Sequence, residues 1–254
     1  MTTNSISPIR EPEDWAHAPL CSEEFFEAPI RVVEGLVKAS KSEALVIMTL
    51  YSPFMWAAHL AEDGAITNHL QENPEAVKKG LEIMTENVLT LVRGCKRAGV
   101  DGFYASSQGG EAFRLYDTNI FQKYIKPTDL AVWEELRSCS FNILHICDYE
   151  GGYDDLTPFL DYPGHVVNSS LKVGTQTLTP KDASHLFGRP FMGGMERKGV
   201  LATGNSESIQ QAVTDVLAQA PEQFILAADC TVPSDTPWEN LRTAIETAHQ
   251  HRKH

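Results

Sequence analysis

Short runs rich in Ile, Leu, Val and Phe alternate along this chain with longer stretches whose apolar residues recur three or four positions apart. That alternation is the signature of parallel βα units. Six runs predict strands, at 44–50, 101–106, 141–147, 165–169, 189–193 and 223–228. Several are apolar on both faces, as strands of a covered parallel sheet should be. Between the first two lies a long amphipathic helix. Asn73 caps it, Pro74 suits its first turn, and Val77, Leu81, Met84, Val88, Val92 and Cys95 keep helical spacing until Gly99 stops it. The last helix is expected to begin at Thr236-Pro237-Trp238-Glu239, which reads as a capping box with proline in the first turn. A helix-like stretch from Glu23 to Ala39 precedes the first strand, and nothing before Ala44 reads as a strand. The expectation is one domain over residues 1–254, with a helical lead-in (1–43) followed by βα units (44–254). There is no low-complexity linker and no repeat beyond that alternation.

One strand carries candidate chemistry. In the run Phe141-Asn142-Ile143-Leu144-His145-Ile146-Cys147, side chains two apart share a face, so His145 and Cys147 project together. Cys230 follows the last strand run and meets them if the two strands share a sheet. One imidazole and two thiolates suit zinc, and three protein ligands leave a coordination position open, as in catalytic sites. The bland alternative stands beside it: His-x-Cys at a strand end is common by chance, and a buried free cysteine ordinarily behaves as a small apolar residue.

Composition narrows the classes. A length of 254 residues allows a substantial core, and a net charge of −13 disfavours nucleic-acid phosphate as a partner. Five cysteines, an odd and scattered set, point to a reducing cytoplasm rather than a disulfide framework. Met1-Thr2-Thr3-Asn4-Ser5 lacks the head and apolar stretch of an export signal, and no run reaches the length of a membrane span. Neither Gly-x-Gly-x-x-Gly nor a Walker loop is found, so nucleotide chemistry has no support. The loop Ser106-Ser107-Gln108-Gly109-Gly110-Glu111 offers Ser106, Ser107, Gln108 and Glu111 as substrate contacts, with an ordinary βα turn as the equal alternative. Asn168 and Ser169 end a strand where a polar side chain can serve a ligand. The run Glu150-Gly151-Gly152-Tyr153-Asp154-Asp155 reads as a solvated turn before it reads as a lid. Met55, Met192 and Met195 read as core or pocket wall, and His249, His251 and His254 as a solvated tail.

From about Trp15 onward these residues carry a resemblance. Tyr51-Ser52-Pro53-Phe54, Ala98-Gly99-Val100-Asp101-Gly102, Leu144-His145-Ile146-Cys147, Phe191-Met192-Gly193-Gly194-Met195-Glu196 and Asp229-Cys230-Thr231-Val232-Pro233-Ser234-Asp235-Thr236-Pro237 occur in that order. Together they resemble the uroporphyrinogen decarboxylase superfamily. The resemblance implies a (β/α)8 TIM-barrel-like fold with its chemistry at the C-terminal mouth of the strands. It implies either porphyrinogen decarboxylation in haem synthesis or zinc-dependent methyl transfer from a corrinoid to a thiol. In the methyltransferases a His-x-Cys pair and a distant cysteine hold the zinc; these fall on His145, Cys147 and Cys230, and a corrinoid protein is the implied partner.

The chain departs from that pattern at three places. The decarboxylases carry a histidine-bearing turn where Cys230 stands, and their substrate-anchoring arginines lie in an N-terminal segment with two strands that has no counterpart here. Asp148 occupies a position where the methyltransferases usually place glycine, and is expected to crowd or supplement the metal. Six βα units do not close an eight-stranded barrel. The barrel is therefore expected to be incomplete, with the chain a truncation or its open edge covered by a second copy or another subunit. Under that expectation a non-catalytic binding subunit is the third functional class.

Overall fold

A computed structural model describes residues 8–62, 64–114 and 117–251. The chain divides into two compact units, Met1–Asn142 and Ile143–His254.

In the first unit, 3-10 turns at Pro12–His17 and Glu23–Phe26 lead into helix α1 (Glu27–Ser40), strand β1 (Ile47–Tyr51) and helices α2 (Pro53–Ala58), α3 (Ala65–Glu72) and α4 (Pro74–Arg97). Strand β2 (Gly102–Ser107), the short α5 (Thr118–Ile120), a π-helical turn (Phe121–Ile125) and α6 (Lys126–Leu136) complete it. The long helix forms as its spacing predicts. The Asn73 side chain accepts a hydrogen bond from the Ala76 N–H, and Val77, Leu81, Met84, Val88, Val92 and Cys95 form its buried face. Its end is set by Gly99, whose φ of +92° a β-carbon would strain, and by the Val100 N–H returning to the Cys95 carbonyl. Trp15, fully buried, lies against Gly80 of α4 and donates its indole N–H to His69 Nδ1.

Strands β1 and β2 pair in parallel, Ile47 with Gly102 through Tyr51 with Ser106. Their start is pinned by side chains: Asp101 accepts from the Val46 N–H, and buried Asn142 accepts from the Phe103 N–H while donating to the Leu136 carbonyl. The close approach at Gly102 leaves no room for a side chain. An added β-carbon would stand 1.5 Å from the Phe141 carbonyl oxygen, so backbone must move. Gly102→Ala is expected to lower stability by about 1–3 kcal/mol or more. The check is the urea midpoint, and an unchanged midpoint would mean that the Phe141 backbone yields without cost.

The second unit holds β3 (Ile143–Ile146), a 3-10 turn (Thr157–Phe159), β4 (Val166–Ser169), the two-residue strands β5 (Lys172–Val173) and β6 (Gln176–Thr177), α7 (Pro180–Phe187), β7 (Phe191–Met195), α8 (Val200–Thr203), α9 (Ser206–Ala218), β8 (Phe224–Ala228) and α10 (Trp238–Gln250). Strands β3, β4, β7 and β8 are parallel neighbours in that order. One cross-strand row runs His145, Asn168, Met192, Ile225, and the next runs Leu144, Val167, Phe191, Phe224. Met195 of β7, Leu201 of α8, Ile209 and Val213 of α9 and Ala244 of α10 share a core cluster, which closes one face of the strands with helices.

All six predicted strands exist, and the α/β class holds. Three readings change. Thr236 does not cap the last helix: Pro237 occupies the cap position with no side-chain hydrogen bond, and Glu239 reaches Arg242 instead. The helix starts one residue late, at Trp238, and the Thr236 N–H that Glu239 would have accepted from in a capping box goes to the Pro233 carbonyl. The β5–β6 hairpin went unpredicted, since two residues per strand carry no periodicity. Within 150–155, Tyr153 is buried and not solvated; its ring packs edge-on against Phe159, while Asp154 and Asp155 face solvent. Met55 and Met195 are core as expected, and His249 and His251 are exposed, with His254 outside the described residues.

Candidate metal centre

The second unit gathers its chemistry where β3 and β8 end. His145 lies in β3, Cys147 one residue past that strand, and Cys230 two residues past β8. All three are buried, 3 %, 5 % and 5 % exposed, and their ligand atoms lie within 4.8 Å of one another. The two sulfurs are 3.7 Å apart. Tetrahedral zinc with Zn–S bonds of about 2.3 Å places two sulfurs about 3.8 Å apart, so the donor set fits that ion in both chemistry and spacing.

The strand periodicity that put His145 and Cys147 on one face is realised, and a polar frame surrounds it. Asn168, fully buried beside His145, donates its amide to the carbonyls of Met192 and Ala228 at 2.9 and 3.1 Å. It thereby ties the end of β8, two residues before Cys230, to β4 and β7. The Asp229 N–H continues the pairing to the Met195 carbonyl, and the Tyr153 hydroxyl donates to the Cys147 carbonyl.

The thiols divide into two kinds. Burial raises Cys21 and Cys95, Cys95 up to about 11, and is the main cause that raises Cys139, which favours the protonated thiol in all three. Cys147 and Cys230 instead lie in contact with each other, 3.7 Å from sulfur to sulfur. The contact with Cys147, and then His145, draw Cys230 below the usual thiol range, while the same contact and burial push Cys147 up. The metal-binding form of such a cluster has both sulfurs as thiolates and the imidazole neutral.

Asp148 is not a member of the three-donor group. Its carboxylate pairs with Arg197 at 2.6 Å, and burial holds its carboxyl above the ordinary range despite that cation. Sequence reasoning missed Arg197. Its one signal was position, two residues past the C-terminal end of β7, where functional groups of barrel folds collect.

The remaining predicted contacts lie in the first unit, at the end of β2 and just beyond. Ser106, Ser107, Gln108 and Glu111 are all buried. Ser107 donates to the Asp129 carboxylate. Glu111 accepts from the Gly109 N–H and takes both Nε and Nη2 of Arg114 at 2.8 and 3.0 Å. Glu111 is thus engaged in a buried ion pair of its own loop.

No described helix is long and apolar enough to cross a membrane. The family described as uroporphyrinogen decarboxylase matches residues 3–251. No curated protein matches the chain. Among solved structures, a methyltransferase from Methanosarcina mazei superposes with a TM-score of 0.72 at 16 % identity, over 87 % of this chain and 63 % of that one. A protein described as a vitamin-B12-independent methionine synthase from Listeria monocytogenes gives 0.51 at 16 %, over 87 % and 68 %. A B12-independent methionine synthase from a Shewanella species gives 0.57 at 12 %, over 86 % and 64 %. At such identities the likeness is one of fold. The chain spans somewhat under two thirds of the length of the methyltransferase it matches.

Proposed function

The chain belongs to the uroporphyrinogen decarboxylase family, and on that premise we propose a zinc-dependent methyltransferase that moves a methyl group from a corrinoid to a small thiol. The observation that carries the proposal is the donor set itself: one imidazole and two sulfurs, all buried, with ligand atoms within 4.8 Å. His145, Cys147 and Cys230 would hold the ion, with one position left for the acceptor. Zinc bound there would lower the pKa of an incoming thiol and keep it as the reactive thiolate.

The chain's own residues supply position. Asn168 keeps the ends of β4, β7 and β8 in register, which fixes Cys230 against the β3 pair. Burial of all three donors keeps bulk water from competing with the acceptor sulfur. A corrinoid would supply the methyl group, and the chain's part would be to hold the acceptor sulfur at the open position in line with it. Two structural neighbours are described as B12-independent methionine synthases, so a methyl donor other than a corrinoid is the second reading.

The test is direct. Methylcobalamin and a small thiol are expected to give thioether with the zinc-loaded chain, and a chelator is expected to stop it. Thioether formed only from a corrinoid-free donor would move the assignment to the second reading. Decarboxylation of uroporphyrinogen at a comparable rate, unaffected by the chelator, would replace methyl transfer with the activity for which the family is named. Zinc uptake with neither reaction would leave a binding subunit.

A further inference from the structure

The geometry points to Arg197 as a positioning residue, a clamp that holds the two cysteine-bearing turns at metal-ligand spacing. This inference rests on the reading of His145, Cys147 and Cys230 as metal ligands. Cys147 is followed by Asp148 and Cys230 is preceded by Asp229, so each thiol has an acid as its covalent neighbour. Arg197 engages both acids. Its Nη1 donates to Asp148 Oδ1 at 2.6 Å and lies 3.5 Å from Asp229 Oδ1, its Nη2 donates to the Asp148 carbonyl at 3.2 Å, and its backbone N–H donates to Asp229 Oδ1 at 2.9 Å. The side chain is 7 % exposed, so the pairing is shielded from solvent and salt.

Three properties make this more than a structural ion pair. The contacts span the C-terminal ends of β3, β7 and β8, and two of those ends carry the sulfurs. Binding a small ion demands donor positions good to about 0.2 Å, which neither turn secures alone. The guanidinium keeps its charge when buried and reaches two acids and a carbonyl with a planar fork, which a lysine ammonium does not reproduce. It also places a fixed positive charge near enough to Cys230 to interact with it electrostatically. Loss of an outer partner of this kind typically costs 10–100-fold in metal affinity.

The experiment uses the full chain with Arg197→Met, Arg197→Lys, Asp148→Asn and, as control, Arg189→Met. Arg189 is a half-buried arginine of the same unit that bonds the Gly164 and Leu160 carbonyls. Zinc affinity is read by competition with a chromogenic chelator. Separately, metal-free protein is titrated with phenylarsine oxide, which bridges two neighbouring thiols, and the bridged cysteines are mapped by mass spectrometry. Arg197→Met is expected to lose about 10–100-fold in zinc affinity, and to bind the arsenical across Cys147 and Cys230 more weakly. Arg197→Lys is expected to recover only part of either, and Arg189→Met to lose thermal stability with both affinities unchanged. Wild-type affinities in Arg197→Met would overturn the clamp, as would equal losses in Arg189→Met. Should Arg197→Met fail to fold, Asp148→Asn, which keeps an acceptor but removes a charge, is expected to weaken both affinities, and no change in either would overturn the clamp. A wild-type chain that takes the arsenical but no zinc would sink the metal reading, with the arsenical comparison alone then deciding the clamp.

Discussion

Cys147→Ser is expected to lower zinc affinity at least a hundredfold, by roughly the share of the binding free energy that one thiolate of a three-donor set carries. A hydroxyl is a poor replacement because it does not ionise near neutral pH, whereas a thiol can give up its proton to become the metal-binding thiolate. Serine at Cys21 or Cys95 should leave zinc uptake unchanged. Neither sulfur belongs to the ligand cluster, and both thiols are raised by burial. The check is metal content after expression in zinc-replete medium, followed by chelator competition. A wild-type chain that carries no zinc with its cysteines reduced would sink the site, and unchanged affinity in Cys147→Ser would remove Cys147 from it.

Glu111→Gln is expected to destabilise the fold by about 3–5 kcal/mol, the usual result of stripping one partner from a buried ion pair. The Glu111 side chain is fully buried and that of Arg114 is 3 % exposed, and the guanidinium cannot shed its charge in response. The amide keeps a place for the Gly109 N–H but no longer balances the cation. Replacing both partners by apolar residues of similar volume should cost far less, because the desolvated charge leaves with its counterion. Urea midpoints of the single and double variants give the comparison. If Glu111 instead serves a substrate, as its loop position first suggested, the midpoint would hold while activity falls.

The two units differ in how much of their chemistry could be read in advance. The six strands, the long helix with its Asn73 cap and the pairing of His145 with Cys147 on one strand face were legible. They follow from periodicity and capping, which act over a few residues and leave a local imprint. The capping box at Thr236 did not form, and its N–H goes to the neighbouring Pro233 carbonyl instead of to Glu239. Glu111 was legible as a polar residue in a glycine-bearing loop, but its partner three residues on was not seen as a reason for its burial.

What tertiary structure decided was which distant residues meet. Asp148 looked like a crowding group beside the metal because only its chain neighbour was visible, yet its carboxylate belongs to Arg197, forty-nine positions away. The 3.7 Å between Cys147 and Cys230, and the reach of Asn168 to the Ala228 carbonyl, depend on the parallel register of β3, β4, β7 and β8. Sequence determined the elements and the donor types, because hydrophobic period and side-chain chemistry are properties of the chain itself. Register and side-chain packing decided the site's geometry, because contacts between residues far apart in the chain have no local signature.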